Sequence, residues 1–134
     1  MDGQGGGMGA TLIKGLRETY GESVEILALR TNAAATAQMM KARANRGATG
    51  ENAIFRTAGE VDLIIGPISI TWPNAMMGEV TPRMAEAVCS SAAPKILLPL
   101  SQENIDVVGM TGDPLPHLVD IIIKEKIKEF MENV

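Results

Sequence analysis

Short apolar runs that alternate with longer helix-forming stretches leave this chain few folds. Val24–Leu29 (Val-Glu-Ile-Leu-Ala-Leu), Val61–Ile65 (Val-Asp-Leu-Ile-Ile), Lys95–Leu100 and Ile105–Met110 read as strands, and Arg46–Thr49 as a brief one. Between them, Met8–Tyr20 carries Leu12, Ile13, Leu16 and Tyr20 at helical spacing and is stopped by Gly21. The Ala- and Met-rich stretch from Asn32 through Ala44 reads as a second helix that Asn32 caps and that ends near Gly47. Glu51–Thr57 supplies a helical turn or two. Thr81 offers an N-cap and Pro82 a first helical position for a helix with Met84, Ala85, Ala87 and Val88. Asp113-Pro114 opens the last helix, which sets Val119, Ile123, Ile127, Phe130 and Met131 on one face. Strands separated by helices pair in parallel, because a parallel partner needs a crossover and the crossover is usually a helix. The expectation is an α/β layered sheet in one domain, residues 1–134, whose ligands bind beyond the carboxyl ends of the strands.

Composition narrows the classes. Of 134 residues, 46% are apolar, and 12 Lys and Arg stand against 16 Asp and Glu for a formal charge of −4. That excess of acid, with Tyr20, Phe55, Trp72 and Phe130 as the aromatics, argues against a nucleic-acid groove or a base-stacking platform. No apolar stretch approaches the ~18 residues of a membrane span, and no basic leader opens the sequence, so no membrane partner and a cytoplasmic location are expected. The lone Cys89 fits a reducing compartment and, within Val88-Cys89-Ser90, reads as core.

The densest local feature is Asp2-Gly3-Gln4-Gly5-Gly6-Gly7-Met8-Gly9-Ala10, directly before the first helix. Gly3, Gly7 and Gly9 have the G-x-x-x-G-x-G spacing seen in short-chain dehydrogenases, and Gly5, Gly7 and Ala10 satisfy the Rossmann spacing in its Ala-ended form. Glycines there permit tight turning and let backbone amides reach a pyrophosphate at a helix start. Gly3, Gln4, Gly5, Gly6, Gly7, Met8 and Gly9 are therefore candidate cofactor-binding residues; the bland alternative is a glycine-rich terminus without a ligand.

The Rossmann fingerprint places an acidic residue about 20 positions further on, at the end of the next strand. That end here is Leu29-Arg30-Thr31-Asn32. An arginine suits a 2′-phosphate, which favours NADP over NAD, while a solvated Arg30 and an Asn32 that merely caps its helix are the plain readings. Gly47-Ala48-Thr49-Gly50-Glu51-Asn52 would lie near an adenine ring, with Thr49 a candidate contact and the Glu51 carboxylate and Asn52 amide able to read the base edge, or would form a plain turn with a Thr cap. Gly66 and Pro67 close the hydrophobic strand and would lie near the reactive half of a dinucleotide, or simply terminate the strand.

Catalytic groups are scarce. Tyr20 has no lysine four residues on, so the Tyr-x-x-x-Lys pair is absent, and the single His117 with the single Cys89 makes no metal site. Asn74 and Glu79, in the loop after the Val61 strand, are the polar residues best placed to face a substrate. Met39-Met40 and Met76-Met77 read as adaptable packing or subunit contacts.

The segments Asp2–Gly9, Gly47–Ile54, Val61–Ile68, Gly78–Pro82 and Lys95–Leu100 together resemble an uncharacterised bacterial family classed as a domain of unknown function. The resemblance spans nearly the whole chain. It implies a Rossmann-like, nucleotide-binding protein, with no assigned activity, in which a short strand precedes the Asp-Gly-Gln-Gly-Gly-Gly run. The fold expected is thus a Rossmann-like doubly wound, mostly parallel sheet that lacks its first strand at Met1, and the natural product is expected to extend upstream by roughly 5–6 residues. Two functional expectations follow. One is an NAD(P)- or nucleotide-binding protein acting as a small oxidoreductase. The alternative is a non-catalytic sensor or homo-oligomeric scaffold that binds a phosphorylated metabolite; the missing acid–base pair favours this second class.

Overall fold

Two parallel strand pairs organise the computed structural model, which describes residues 1–2, 7–100, 103–110 and 112–133. In the first pair, β1 (Leu27–Arg30) lies beside β2 (Arg46–Thr49), with Leu29 opposite Ala48. In the second, β3 (Ile64–Pro67) lies beside β4 (Lys95–Leu98), with Gly66 opposite Leu97. Each crossover within a pair is helical, as the sequence pattern requires: α2 (Ala33–Lys41) joins β1 to β2, and α4 (Pro82–Ser90) precedes β4. The helices α1 (Gly7–Tyr20) and α3 (Glu51–Ala58) precede β1 and β3. Asn32 and Thr81 cap α2 and α4 as expected, their side chains accepting from the amides of Ala35 at 3.0 Å and Met84 at 3.2 Å.

The helices form layers on both sides of the strands. Leu12 and Leu16 of α1 pack with Leu98 and with Leu118, Val119, Ile122, Ile123 and Ile127 of the C-terminal helix, while Ile13 meets Ala28 and Met39. Leu29, the next residue along β1, enters the other core, with Ile54 and Ala58 of α3 and Met84, Ala85 and Val88 of α4. This is the alternation of a strand covered on both faces.

The described residues do not form one continuous doubly wound sheet: the hydrogen-bonded ladders are two separate two-stranded sheets. What lies between them is Met1 and Asp2. The Met1 amino group donates to the Ile65 carbonyl at 2.6 Å, the Asp2 amide donates to the Leu29 carbonyl at 3.1 Å, and Asp2 forms an isolated parallel bridge with Arg30.

Other expectations shift. The first strand begins at Leu27 rather than Val24, and the strand expected at Val61 begins at Ile64. Ile105–Met110 forms no strand; it holds a turn in which Gly109 has φ +92°, and it exposes Ile105, Val107, Val108 and Met110. The last helix is interrupted: α5 (Leu115–Ile121) passes through a π-helical segment, Ile122–Lys126, into α6 (Ile127–Glu132). Ile123 within the wider turn and Ile127 just after it are buried, while Met131, one turn further on, is exposed. Cys89 is exposed, not core, because α4 turns Met84, Ala85 and Val88 inward and Cys89 lies off that face.

Arg17 is buried on the α1 face that carries Ile13, one turn away. Its Nε donates to the Arg43 carbonyl at 2.8 Å, its Nη1 to the Gly21 and Val24 carbonyls at 2.9 and 2.8 Å, and its Nη2 to the Asn45 side chain. The Asn45 Oδ1 also accepts from the Ile26 amide at 2.7 Å, so one guanidinium ties together the turns that enter β1 and β2. Arg17→Met, which keeps the stem but abandons those carbonyls, is expected to cost about 1–3 kcal/mol in chemical denaturation. An unchanged denaturation midpoint would show that water satisfies the carbonyls equally well.

Candidate functional site

The start of α1 and the carboxyl ends of β1 and β3 come together around Asp2. Its Oδ2 accepts from the Gly9 amide at 2.7 Å and from Arg30 Nη1 at 3.0 Å. A carboxylate therefore already sits against an amide in the first turn of α1, where the helix dipole favours negative charge. Arg30 has no exposed surface and Asp2 is 7% exposed, so this is a buried ion pair. Burial pushes the guanidinium below its usual value, opposed first by Asp2 and then by Glu79.

The candidate residues divide accordingly. Gly3, Gln4, Gly5 and Gly6 lie outside the described residues. Gly7 opens α1, and a side chain there would meet nothing within 4 Å among the described residues. Met8 and Gly9 are buried, and a Cβ on Gly9 would collide with the Met39 sulfur and approach Asp2 Oδ2 to 3.1 Å. Gly9 is thus a close-packing glycine. Gly66 is another: its missing Cβ leaves room for the Met1 carbonyl and the Ile70 side chain, each of which would lie 2.8 Å away. Pro67 is buried beside it.

At the end of β1, Arg30 points into the Asp2 pair rather than toward the surface on which a 2′-phosphate would sit, so the geometry gives no reason to prefer NADP. Thr31 donates to Glu79 Oε2 at 2.5 Å. Asn32 is occupied as the cap of α2, and Thr49 shares a 2.7 Å hydroxyl contact with Thr36 of that helix. Glu51 faces the other layer, accepting from the Thr81 hydroxyl at 2.6 Å and lying 3.9 Å from Arg83, so its carboxylate is held by α4 rather than presented to a base. Sequence reasoning missed Asp2. The signal was present, since an acidic residue directly before a glycine run and an arginine at the end of the adjacent strand are natural partners.

The segment that supplies Glu79 is tightly turned. Asn74, Met76 and Met77 have φ of 66°, 56° and 56°, and Gly78 has φ 88°. The segment closes on itself through Asn74 N to Val80 O at 2.7 Å, Gly78 N to Asn74 O at 3.1 Å and Val80 N to Ala75 O at 3.1 Å. Glu103 Oε1 accepts from the Met76 amide at 2.6 Å, which fixes the turn from the far side. Non-glycine residues held in the left-handed region commonly mark functional segments.

Burial lowers the Met1 amine from 8.0 to about 6; Asp2 opposes the shift and Arg30 adds to it. The folded chain then prefers the neutral amine, and the unfolded chain binds more protons between those values. Stability of a chain starting at Met1 is expected to rise from pH 6 to pH 8, by up to about 3 kcal/mol. Urea midpoints that stay level or fall across that window would contradict it.

Acid–base machinery is sparse among the described residues. His117 lies 4.0 Å from Asp113 at the surface, Tyr20 donates to the Ile123 carbonyl at 2.9 Å, and no group of three or more His, Cys, Asp or Glu residues could hold a metal. No helix among the described residues is long and apolar enough to cross a membrane.

The chain matches, over residues 1–132, the family described as Domain of unknown function (DUF3842), and it belongs to that family. No curated protein and no solved structure matches it significantly.

Proposed function

We propose that this family member binds a nucleotide, of the NAD(P) or nucleoside-diphosphate class, across the glycine run and the carboxyl ends of β1 and β3. The observation that carries this reading is the Gly9 amide donating to the Asp2 carboxylate at 2.7 Å, which supports the start of α1 as an anion-accepting position. Gly3–Met8 would bring further amides to a pyrophosphate, and Thr31, Asn32 and Thr49 would line the adenosine side. Arg30 would serve from beneath, by holding Asp2. The finer fold belongs to the same proposal: a Rossmann-like order β2-β1-β3-β4 in which Met1 and Asp2 occupy the place of the central first strand.

Among the described residues no acid–base pair is recognisable, and the sequence has no Tyr-x-x-x-Lys pair, which favours binding without turnover over a small oxidoreductase. An association role has its own support. The outer edge of β4 and the C-terminal helix border an open groove of about 430 Å³ whose floor includes Ile96, Leu97, Leu118 and Ile122 and whose lining also includes Lys95 and Lys126. The exposed apolar residues of Ile105–Met110 add a second surface suited to a homo-oligomer.

NAD, NADP and ADP titrations followed by thermal shift and calorimetry test the proposal. At a hundredfold excess over Kd, a bound nucleotide stabilises by about 2.7 kcal/mol. Gly7→Val, which meets no described neighbour, is expected to abolish the shift while leaving the unliganded melting temperature within a few degrees. Absence of any heat or shift with all three ligands would overturn the reading.

A further inference from the structure

The proposed site lacks the acidic residue that a ribose would require at the end of β1, yet a carboxylate reaches that place from elsewhere. Glu79 approaches from the turn before α4, and its Oε2 accepts from the hydroxyl of Thr31, the first residue past β1. The fold carries it there rigidly. Val80, its neighbour, is 1% exposed in the core with Ala75 and Leu29, and the Glu79 amide donates to the Met76 carbonyl at 3.1 Å. The left-handed run through Met76, Met77 and Gly78 and the Glu103 contact set the approach before any ligand arrives.

The charges at this corner have a definite sense. The arginine that would welcome a 2′-phosphate is withdrawn into the Asp2 pair with no exposed surface. The carboxylate at Thr31 is that of Glu79, which is only partly buried and lies close enough to Arg30 to favour its charged form. A carboxylate accepts hydrogen bonds and donates none when ionised, so it suits the hydroxyls of a ribose diol and repels a phosphate dianion.

We infer that Glu79 is a specificity-determining residue that selects a nucleotide with a free ribose 2′-hydroxyl, such as NAD, against its 2′-phosphorylated counterpart. This rests on the nucleotide-binding reading. Thr31 orients the carboxylate, and Arg30 contributes by its absence from the surface.

The test is calorimetric titration of the folded chain with NAD and NADP, for the wild type, Glu79→Gln and Thr31→Val. The wild type is expected to bind NAD about tenfold or more tightly than NADP. Glu79→Gln, which removes the charge at nearly constant shape, should bring the two dissociation constants within about threefold by weakening NAD and strengthening NADP. Thr31→Val keeps the charge but releases its orientation, and should lose part of the NAD affinity while still disfavouring NADP. Circular dichroism and melting temperature confirm that each variant is folded. Equal wild-type affinities, a preference for NADP, or a ratio unmoved in Glu79→Gln would overturn the inference while leaving nucleotide binding intact. If neither dinucleotide binds the wild type, the nucleotide-binding reading fails and this inference falls with it.

Discussion

Asp2→Ala is expected to destabilise the fold by about 3–5 kcal/mol, among the largest effects of any single substitution here. The cause is less the loss of one attraction than the state of what remains. Arg30 has no exposed surface, so removing the Asp2 carboxylate leaves a guanidinium buried with much of its charge uncompensated, and also strips the Gly9 amide of its acceptor. A double-mutant cycle separates these contributions. Arg30→Met together with Asp2→Ala should recover a substantial part of the stability, because a flexible apolar side chain can fill the volume without a charge to solvate. Denaturant midpoints measured for the two single variants and the pair decide the matter. Additive losses would mean that the pair contributes little coupling and that Asp2 acts only through Gly9.

The second large effect belongs to the core on the other face. Ile54 of α3 has no exposed surface and packs in the cluster of Leu29, Ile70, Val80, Met84 and Val88. Ile54→Ala should cost about 4 kcal/mol, combining lost burial with a cavity that helices on both sides are too constrained to close. A loss below about 1 kcal/mol would indicate that α3 slides inward and refills the space. Neither prediction depends on a ligand, so the two together test the architecture separately from the site.

Much of that architecture could be read from local pattern. Asn32 and Thr81 announced their helices because capping chemistry is short-range, and Pro82 marks the start of α4 in the structure as in the sequence. Arg46–Thr49 is a strand over the same residues in the structure as in the sequence pattern. Failures came where the deciding partner lies far away in sequence. Ile105–Met110 has the residues of a strand, but among the described residues no strand pairs with it and Gly109 turns the chain. Arg17 has the spacing of an interior position, one turn from Ile13, but its acceptors are carbonyls and a side chain of two later turns, at Gly21 and Val24 and at Arg43 and Asn45, which helical periodicity does not reveal.

The candidate site was legible in part. The glycine run led to the start of α1, and Glu79 stood out as a polar residue in a loop after a buried strand. The disposition of Arg30 was not accessible from its own surroundings. Its direction is settled by Asp2, distant in sequence, and a guanidinium committed there cannot also meet a ligand's terminal phosphate. Gly66 and Gly9 illustrate the same limit: a glycine required for ligand approach and one required for close packing look alike until the neighbour is known, here the Met1 carbonyl and the Met39 side chain.

The bond that Met1 makes to one strand pair and the bond that Asp2 makes to the other give the polypeptide's first two residues the place of a keystone. Pressure on them is transmitted outward to both flanks, and the same stone carries the carboxylate that steadies the helix above. A change at either bond would therefore be felt on both flanks at once.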